Sequence, residues 1–224
     1  MTMLGLLQDR KYRIPRVWSN DILRKIAPIF NGNVINVSGW RDEDKQGGCY
    51  RNYFSSAESY SISNFGGYRG ESADTDYVLD LEAQLPDELE GRFDVVFNHT
   101  TLEHVYDVFL AVRNLCRMSK DVVIVVVPYI QEQHWSNGFS DYWRFTPLGI
   151  TALFRANGLE TVLICSTPGH RSAIYHLLVA SRCPEKWLGV FRKLPVTENT
   201  GQGFFNNPLR NFLRRMRGTK DGEA

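Results

Sequence analysis

The segment DVVIVVVPY, Asp121–Tyr129, decides the fold class of this chain. Its six consecutive Val and Ile residues end at Pro128. A run that is apolar on both faces is typical of a strand in the middle of a parallel sheet, with helices covering both sides. The segment therefore predicts a central strand of an α/β domain.

Weaker strand patterns alternate with helical ones on both sides of this segment. The predicted strands are Val34–Val37, Tyr60–Ser63, Tyr77–Leu81, Phe93–Phe97, Leu159–Ser166 and Ala173–Ser181. The predicted helices run from a cap at Ser19–Asp21 to Phe30, over Leu102–Met118 and over Leu148–Asn157. The last two strands are joined by a short turn, which favours an antiparallel pair. The pattern predicts a doubly wound, Rossmann-like, mostly parallel sheet of seven strands with a C-terminal antiparallel hairpin.

The composition is that of a globular protein with a sizeable core, since 43% of the 224 residues are hydrophobic and 23% are charged. The net charge of +1 gives no field that would favour nucleic acid as a partner. No apolar run reaches the roughly 18 residues of a transmembrane helix. The early charges of MTMLGLLQDRKYR argue against a secretory signal, and four widely spaced cysteines indicate reduced thiols. The sequence therefore predicts a cytoplasmic location.

The strand and helix pattern weakens after Cys183, so we expect a domain over residues 1–183 and a tail over 184–224. In the tail, Leu209, Phe212, Leu213 and Met216 have helical spacing, and arginines fill the opposite face. A basic amphipathic helix can make weak contact with an anionic membrane surface. The apolar stripe is only two turns long, which favours docking on the domain or on a partner helix. The sequence does not indicate an oligomeric state.

Ligands of doubly wound sheets bind beside the carboxyl ends of the central strands. Four segments of this chain are predicted to meet there, one after each of four strands. They are Ser38–Gly48, Asn64–Gly67, Asn98–His104 and Pro128–Asp141.

Three blocks of this chain carry a resemblance to a known family. They are LDLEAQLP (Leu79–Pro86), FDVVFNHTTLEHVYD (Phe93–Asp107) and the stretch Val127–Glu160, which contains DYWRFT. Over about Val34–Ser181, the chain resembles the class I S-adenosylmethionine-dependent methyltransferases. The resemblance implies S-adenosyl-L-methionine as cofactor, methyl transfer as activity, and a seven-stranded sheet whose last strand is inserted antiparallel.

The resemblance also implies which residues contact the cofactor. In the family, strand one ends in a loop resembling G-x-G-x-G, which lets the backbone approach the methionine end. Here that loop begins with Ser38 and Gly39, and we expect Gly39 to stand near a family glycine. The family carries Asp or Glu at the end of strand two to accept the ribose hydroxyls, and Asn64 takes that place. The implied cofactor-binding residues are Ser38, Gly39, Asn64, Asp80, Leu81 and Asn98.

Asp80 and Leu81 have the most specific of these implied roles. The resemblance places the Asp80 carboxylate by the adenine amine and Leu81 against the ring. An aspartate at this point of the sequence can equally serve as a turn or helix cap.

The densest chemical cluster is predicted to combine His99, Glu103 and His104 with His134 and Asp141. Their spacing of four residues puts His99 and Glu103 on one helix face if the helix starts early enough. Imidazoles and carboxylates that converge can bind a divalent ion or act as a general base. Methyltransferases that hold a metal have an E-x-x-E-H pattern, and Thr100 replaces its first glutamate here. This favours His104 or His134 as base, with Glu103, over a metal site. Alternatively, Glu103 and His104 only orient the helix.

An aromatic stretch follows the fifth predicted strand. Trp135 and Tyr142 could stack on a sugar or a flat ring, with Asp141 beside them. Arg144 could bind an anionic group or form a structural ion pair. The sequence thus predicts a methyltransferase for a small molecule or a sugar hydroxyl, as in polysaccharide biosynthesis. Because of the altered loop and Asn64, the alternatives are a binding protein that has lost the cofactor, or a metal-assisted hydrolase.

Overall fold

The computed structural model describes residues 16–66, 75–167 and 173–194. They form one sheet with the strand order β3-β2-β1-β4-β5-β7-β6. The strands are β1 Gly32–Val37, β2 Ala57–Asn64, β3 Tyr77–Val78, β4 Phe93–His99, β5 Ser119–Pro128, β6 Glu160–Ser166 and β7 Tyr175–Ser181. Only β7 runs antiparallel to its neighbours among these strands, so the predicted mostly parallel sheet with a closing hairpin is confirmed.

Four α-helices and four short 3-10 turns connect the described strands. The helices are α1 over residues 16–26, α2 Val108–Met118, α3 Pro147–Arg155 and α4 Pro184–Phe191. The 3-10 turns are Ala27–Ile29, Tyr50–Tyr53, Asp87–Leu89 and Leu102–His104. In the described segments, none of the helices is long and apolar enough to cross a membrane.

Strand β5 occupies the centre predicted for it, between β4 and β7. Val123 and Val125 point into the core on one face of the sheet, and Ile124 and Val126 into the core on the other. All four are fully buried, which explains why the strand has no polar face. Its carboxyl end stops at Pro128, beside the end of β4.

Helix α2 begins later than predicted, and this separates residues that we expected on one helix face. The Asp107 carboxylate accepts a hydrogen bond from the Leu110 N–H and caps the helix, which then starts at Val108. His99 is the last residue of β4, whereas Glu103 lies in the 3-10 turn. The prediction that His99 and Glu103 share a helix face is therefore wrong.

The two ends of the described chain pack on the same face of the sheet. Residues 16–26 are already helical, so the predicted cap at Ser19–Asp21 is wrong, and Asn20 instead donates to the Asp44 carbonyl at 2.8 Å. Trp187 of α4 packs on Phe30 with ring centroids 5.0 Å apart, so the packed region includes α4. The division at residue 183 stays a prediction, and the predicted basic helix at Leu209–Met216 lies outside the described residues.

Candidate functional site

A cavity of about 520 Å³ opens at the carboxyl ends of β1, β2 and β4. All four segments predicted to meet at this edge contribute to its wall. The lining residues are Arg16, Asn36, Ser38, Gly39, Trp40, Glu43, Lys45, Tyr50, Asn64, Phe65, Leu79, Asp80, Leu81, Glu82, His99, Thr100, Thr101, His104, Val105, His134, Gly138 and Phe139.

The loop after β1 keeps a left-handed backbone at alternate residues although none of them is glycine. The φ angles are 57° at Ser38, 48° at Trp40 and 60° at Asp42. These positions have the spacing of G-x-G-x-G, and the expectation that Gly39 stands near a family glycine stays a prediction. A Cβ at Gly39 would come within 2.6 Å of the Asn36 amide nitrogen, so glycine is needed there for close packing.

Asp42 holds the loop after β1 in this conformation. Its buried carboxylate accepts hydrogen bonds from the Asn36 amide and the Tyr60 hydroxyl, both at 2.7 Å. It also accepts from the Arg51 backbone N–H at 2.8 Å. The donors come from β1, β2 and the 3-10 turn, so one carboxylate ties the loop to three elements.

Asp44 does the same for the second half of the loop. Its buried carboxylate accepts from the Tyr53 hydroxyl at 2.7 Å and from the backbone N–H groups of Gln46 and Gly48 at 2.7 and 2.9 Å. Burial alone would raise the pKa of Asp44, but these hydrogen bonds and the charge of Arg24 lower it overall. Between β1 and β2 the described chain thus forms a loop with one short 3-10 turn in place of a regular helix, and its buried carboxylates hold that loop in position.

Asn64 lies at the cavity wall and fastens the same loop. Its Oδ1 accepts from the Trp40 N–H at 2.6 Å, and its Nδ2 donates to the Trp40 carbonyl at 3.1 Å and the Thr75 hydroxyl at 2.7 Å. An amide has two donor hydrogens and two acceptor lone pairs. Only one acceptor position of Asn64 therefore stays available for a ribose hydroxyl.

The other residues implied for the cofactor occupy different places. Asp80 and Leu81 line the cavity, with Asp80 exposed and Leu81 buried. The Asp80 carboxylate accepts from the Glu82 N–H at 2.8 Å, which makes the turn foreseen as its alternative role. Asn98 is buried away from the lining, and its amide donates to the Val37 carbonyl at 2.9 Å. It holds β4 to β1, and its direct contact with a cofactor stays a prediction.

Glu103, in the turn after β4, is completely buried, and neither carboxyl oxygen has a hydrogen-bond partner among the described residues. Burial raises the pKa of Glu103 to about 8. The carboxyl lies 3.8 Å from the His104 Nε2. A carboxyl in this state is mostly protonated at neutral pH and can exchange a proton near it.

His104 lines the cavity with a defined tautomer. Its Nδ1 lies 2.6 Å from the Ser140 carbonyl oxygen. A carbonyl can only accept, so Nδ1 carries the hydrogen and Nε2 of the neutral ring keeps its lone pair. Burial lowers the pKa of His104, which keeps the ring neutral at pH 7. His104 therefore has a basic nitrogen, Nε2, which lies beside the buried Glu103 carboxyl at the cavity wall.

His134 is the second imidazole at the cavity, with its ring centroid 5.0 Å from that of His104. Its Nδ1 lies 3.3 Å from the Asp141 carboxylate, which also accepts the His134 backbone N–H at 2.7 Å. Burial lowers the pKa of His134 against the opposing charge of Asp141. The structure thus brings together both predicted bases.

Arg144 and Asp141 form an ion pair with each other. Two guanidinium nitrogens bind the two carboxylate oxygens, and Arg144 also donates to the carbonyls of Gln131, Glu132 and Trp143. This is the structural role weighed for Arg144 in the sequence, and it closes the loop after β5. Substrate contact by either residue stays a prediction.

The two aromatic residues predicted for substrate stand outside the cavity lining. Trp135 is 69% exposed, and Tyr142 packs edge-on against Tyr106 with centroids 5.4 Å apart. Phe139 lines the cavity in their place and contacts the ring of His104 at 4.6 Å. Among the described residues, no group of three His, Cys, Asp or Glu side chains could hold a metal ion.

Arg16 and Tyr50 line the cavity, and sequence reasoning missed both. Arg16 precedes every predicted element, so no pattern marks it. Tyr50 follows the charged loop in a 3-10 turn that has no periodic signature.

No family model and no curated protein matches this sequence. The comparison with solved structures does give matches. Magnesium protoporphyrin IX methyltransferase from Synechocystis, with bound S-adenosylmethionine, superimposes with a TM-score of 0.54 at 13% identity, over 77% of this chain and 82% of that one. An S-adenosylmethionine-dependent methyltransferase from Mesorhizobium loti gives 0.54 at 11% identity, over 72% and 96%. The chain has the class I methyltransferase fold.

A third structure with this methyltransferase fold contains a small-molecule acceptor. It is 1,6-didemethyltoxoflavin-N1-methyltransferase from Burkholderia thailandensis, with bound 1,6-didemethyltoxoflavin and S-adenosylhomocysteine. Its TM-score is 0.50 at 12% identity, over 79% of this chain and 85% of that one. At such identities the match concerns the fold, and the chemistry has to be argued from the cavity.

Proposed function

We propose that this protein is an S-adenosylmethionine-dependent methyltransferase whose cofactor binds in the cavity. The observation that carries the proposal is the composition of the cavity wall. It combines the loop after β1, Asn64 at the end of β2, Asp80 and Leu81 after β3, and the end of β4. In a doubly wound sheet this edge is the ligand site.

The cavity fits such a cofactor in size and in chemistry. Its volume of about 520 Å³ lies within the range of small-molecule sites. Asp80 offers a carboxylate beside the apolar side chain of Leu81, as an adenine ring with an exocyclic amine requires. The buried Tyr50 lines the same cavity, with its hydroxyl beside the Arg16 guanidinium.

His104 is the residue that we propose as general base. When bound, S-adenosylmethionine would supply the methyl group of its sulfonium to an oxygen or nitrogen of the acceptor. The lone pair of His104 Nε2 can take the proton that the acceptor loses. Glu103 and His134 flank this imidazole, at 3.8 Å from its Nε2 and at 5.0 Å between ring centroids.

For the acceptor, we propose a small molecule or a sugar hydroxyl. The part of the cavity beside His104 is walled by His134 and Phe139, whose rings can pack on a sugar or a flat ring. The 1,6-didemethyltoxoflavin bound in the Burkholderia structure supports a small-molecule acceptor. Trp135, Tyr142, Asp141 and Arg144 would then act at the rim or by shaping the loop.

Cofactor binding is the first test. S-adenosylhomocysteine should raise the melting temperature, because a ligand of the native state stabilises it by mass action. Asp80→Ala should weaken binding in calorimetry. The matched control Asp87→Ala, which alters a carboxylate outside the lining, should not. No shift at millimolar ligand would contradict the proposal and favour the binding protein that has lost its cofactor.

The base is tested by kinetics. In a screen of small-molecule and saccharide acceptors, His104→Ala should lower turnover about 10²–10⁴-fold, the usual contribution of a general base. Its affinity for S-adenosylhomocysteine should stay unchanged. Equal turnover in the variant would show that another group takes the proton, with His134 the next to be replaced.

A further inference from the structure

Arg16 brings a positive charge into the cavity, and no carboxylate of the described residues lies at hydrogen-bonding distance from it. Its guanidinium donates to the Thr100 hydroxyl at 2.9 Å. The ion pairs found among the described residues do not include Arg16. Burial raises the pKa of Glu103 to about 8, and the positive charge of Arg16 has a smaller, opposite effect on this pKa. At neutral pH, Glu103 is mostly uncharged and therefore does not neutralise Arg16.

Tyr50 places a donor in the same part of the cavity. The residue is 4% exposed, and its hydroxyl lies beside the Arg16 guanidinium. Its ring is fixed between Phe97 and His99, with centroids 5.2 and 5.4 Å away. Burial raises the pKa of Tyr50 to about 12, although the nearby Arg16 charge opposes this. The hydroxyl therefore keeps its proton and can donate it to an anion.

Three backbone N–H groups of the loop after β1 are already engaged. The Gly39 N–H donates to the Ser63 carbonyl at 3.1 Å, and the Asp42 N–H donates to the Gly39 carbonyl at 2.8 Å. The Trp40 N–H donates to the Asn64 side chain at 2.6 Å. These three groups are not free to bind an anion, which makes the side-chain donors of the cavity wall more important.

We propose that Arg16 and Tyr50 form a carboxylate-binding subsite of the cavity. A guanidinium presents two parallel N–H groups to a carboxylate, and the tyrosine hydroxyl adds a third donor. Thr100 positions the guanidinium; its own φ of 51° is unusual for a β-branched residue. Two carboxylates can reach this subsite. One belongs to the methionine end of the cofactor, and this source rests on the proposed function; the other would belong to the methyl acceptor.

Calorimetry with two ligands distinguishes the two sources. S-adenosylhomocysteine has the methionine-end carboxylate, and 5′-methylthioadenosine lacks it. If the subsite serves the cofactor, Arg16→Ala should weaken the binding of S-adenosylhomocysteine by about 10–100-fold. This is the usual effect of losing a hydrogen bond to a charged group. Binding of 5′-methylthioadenosine should be unchanged. Arg16→Lys should restore part of the affinity, because it keeps the charge but not the fork. Tyr50→Phe should weaken the binding of S-adenosylhomocysteine by a smaller factor and should likewise leave the binding of 5′-methylthioadenosine unchanged.

Simple carboxylates test the second source. If the subsite serves the acceptor, both nucleosides should bind Arg16→Ala as they bind the wild type. Acetate and succinate should then raise the melting temperature of the wild-type protein, free or loaded with S-adenosylhomocysteine, and should not raise that of Arg16→Ala. Sodium chloride at equal ionic strength controls for salt. The control variant Arg155→Ala removes an exposed arginine paired with Glu160 and should behave as wild type throughout.

The subsite is rejected if Arg16→Ala matches the wild type with S-adenosylhomocysteine and with both carboxylates. It is also rejected if Arg16→Ala binds S-adenosylhomocysteine and 5′-methylthioadenosine more weakly by the same factor, since a selective carboxylate contact cannot produce that result. Failure of the proposed function looks different, because the wild-type protein would then bind neither nucleoside. In that case, the response to acetate and succinate alone still decides whether Arg16 and Tyr50 bind a carboxylate.

Discussion

Buried carboxyl groups occur in two neighbouring turns at the same sheet edge, and the two turns treat them in opposite ways. In the loop after β1, Asp42 and Asp44 are 3% and 2% exposed, and each accepts several hydrogen bonds. In the turn after β4, Glu103 is 0% exposed, and its carboxyl accepts no hydrogen bond from the part of the chain that the structure describes. The pKa of Asp44 is lowered by its hydrogen bonds against the effect of burial, whereas the pKa of Glu103 is raised by burial.

This difference separates two carboxyl groups that stabilise the fold, Asp42 and Asp44, from Glu103, which does not. A buried charge is stable when donors replace the water that it has lost, and Asp42 and Asp44 meet that condition. Glu103 does not, so it stays mostly protonated and lowers stability at high pH. Buried polar groups without partners concentrate at functional sites. The position of Glu103 beside His104 agrees with that rule.

The comparison predicts its largest effect at Asp42. Replacing it by alanine leaves three donors without their acceptor, and we expect a loss of about 4 kcal/mol in the free energy of unfolding. Asp42→Gly, which accepts a left-handed backbone without strain, should lose nearly as much. Urea denaturation measures both. Asp21→Ala removes only an exposed ion pair with Arg24 and should change stability by less than about 1 kcal/mol. A similarly small loss at Asp42 would remove the distinction between the two turns.

Glu103→Gln should produce the next largest effect, and it depends on pH. Between its usual pKa of 4.5 and its pKa of about 8 in the fold, the folded state holds a proton that the unfolded state has released. The contribution of Glu103 is therefore greatest at low pH and falls as pH rises toward 8. Glutamine cannot ionise. From about pH 5.5 to 8, the variant should gain roughly 3 kcal/mol relative to the wild type. Urea titrations at several pH values test this, and parallel curves would contradict it.

The smallest effect is expected at Ser38, where a non-glycine residue has a φ of 57°. A left-handed backbone costs an L-residue roughly 1–2 kcal/mol, and glycine avoids this cost. Glycine also raises the conformational entropy of the unfolded chain, which cancels part of the gain in stability. Ser38→Gly should therefore stabilise the protein by about 0.5–1 kcal/mol. Ser55→Gly, at an exposed turn residue without positive φ, should instead destabilise it slightly. A loss of stability in Ser38→Gly would show that the serine side chain has a role of its own.

The sheet could be predicted because each strand has its own sequence signal. The apolar run of β5 fixed the centre, and the short turn before β7 fixed the antiparallel closure. The sequence also brought the right segments to one edge, since His104, His134 and Asp80 all line the cavity. Those inferences depend on periodicity and on strand direction, which are local properties.

The finer parts of the site depend on contacts between distant residues, and these leave no periodic signal. The left-handed backbone at Trp40 is stabilised by Asn64, 24 positions later, so a search for glycines could not find it. The start of α2 depended on Asp107 as a cap rather than on the apolar spacing that also covers Leu102. Arg16 reaches the cavity through packing alone.

The loop after β1 also changes the electrostatics of the cavity. In dinucleotide-binding folds, the helix after the first strand points its N-terminus at the ligand and contributes about half a positive charge from aligned peptide dipoles. Here residues 38–56 are all described, and their only helical element is the short 3-10 turn Tyr50–Tyr53. The same segment contains two buried aspartates. Positive potential at this end must come from side chains such as Arg16 and Lys45, both at the cavity. A single substitution can therefore remove charge that a helix dipole would have built into the backbone.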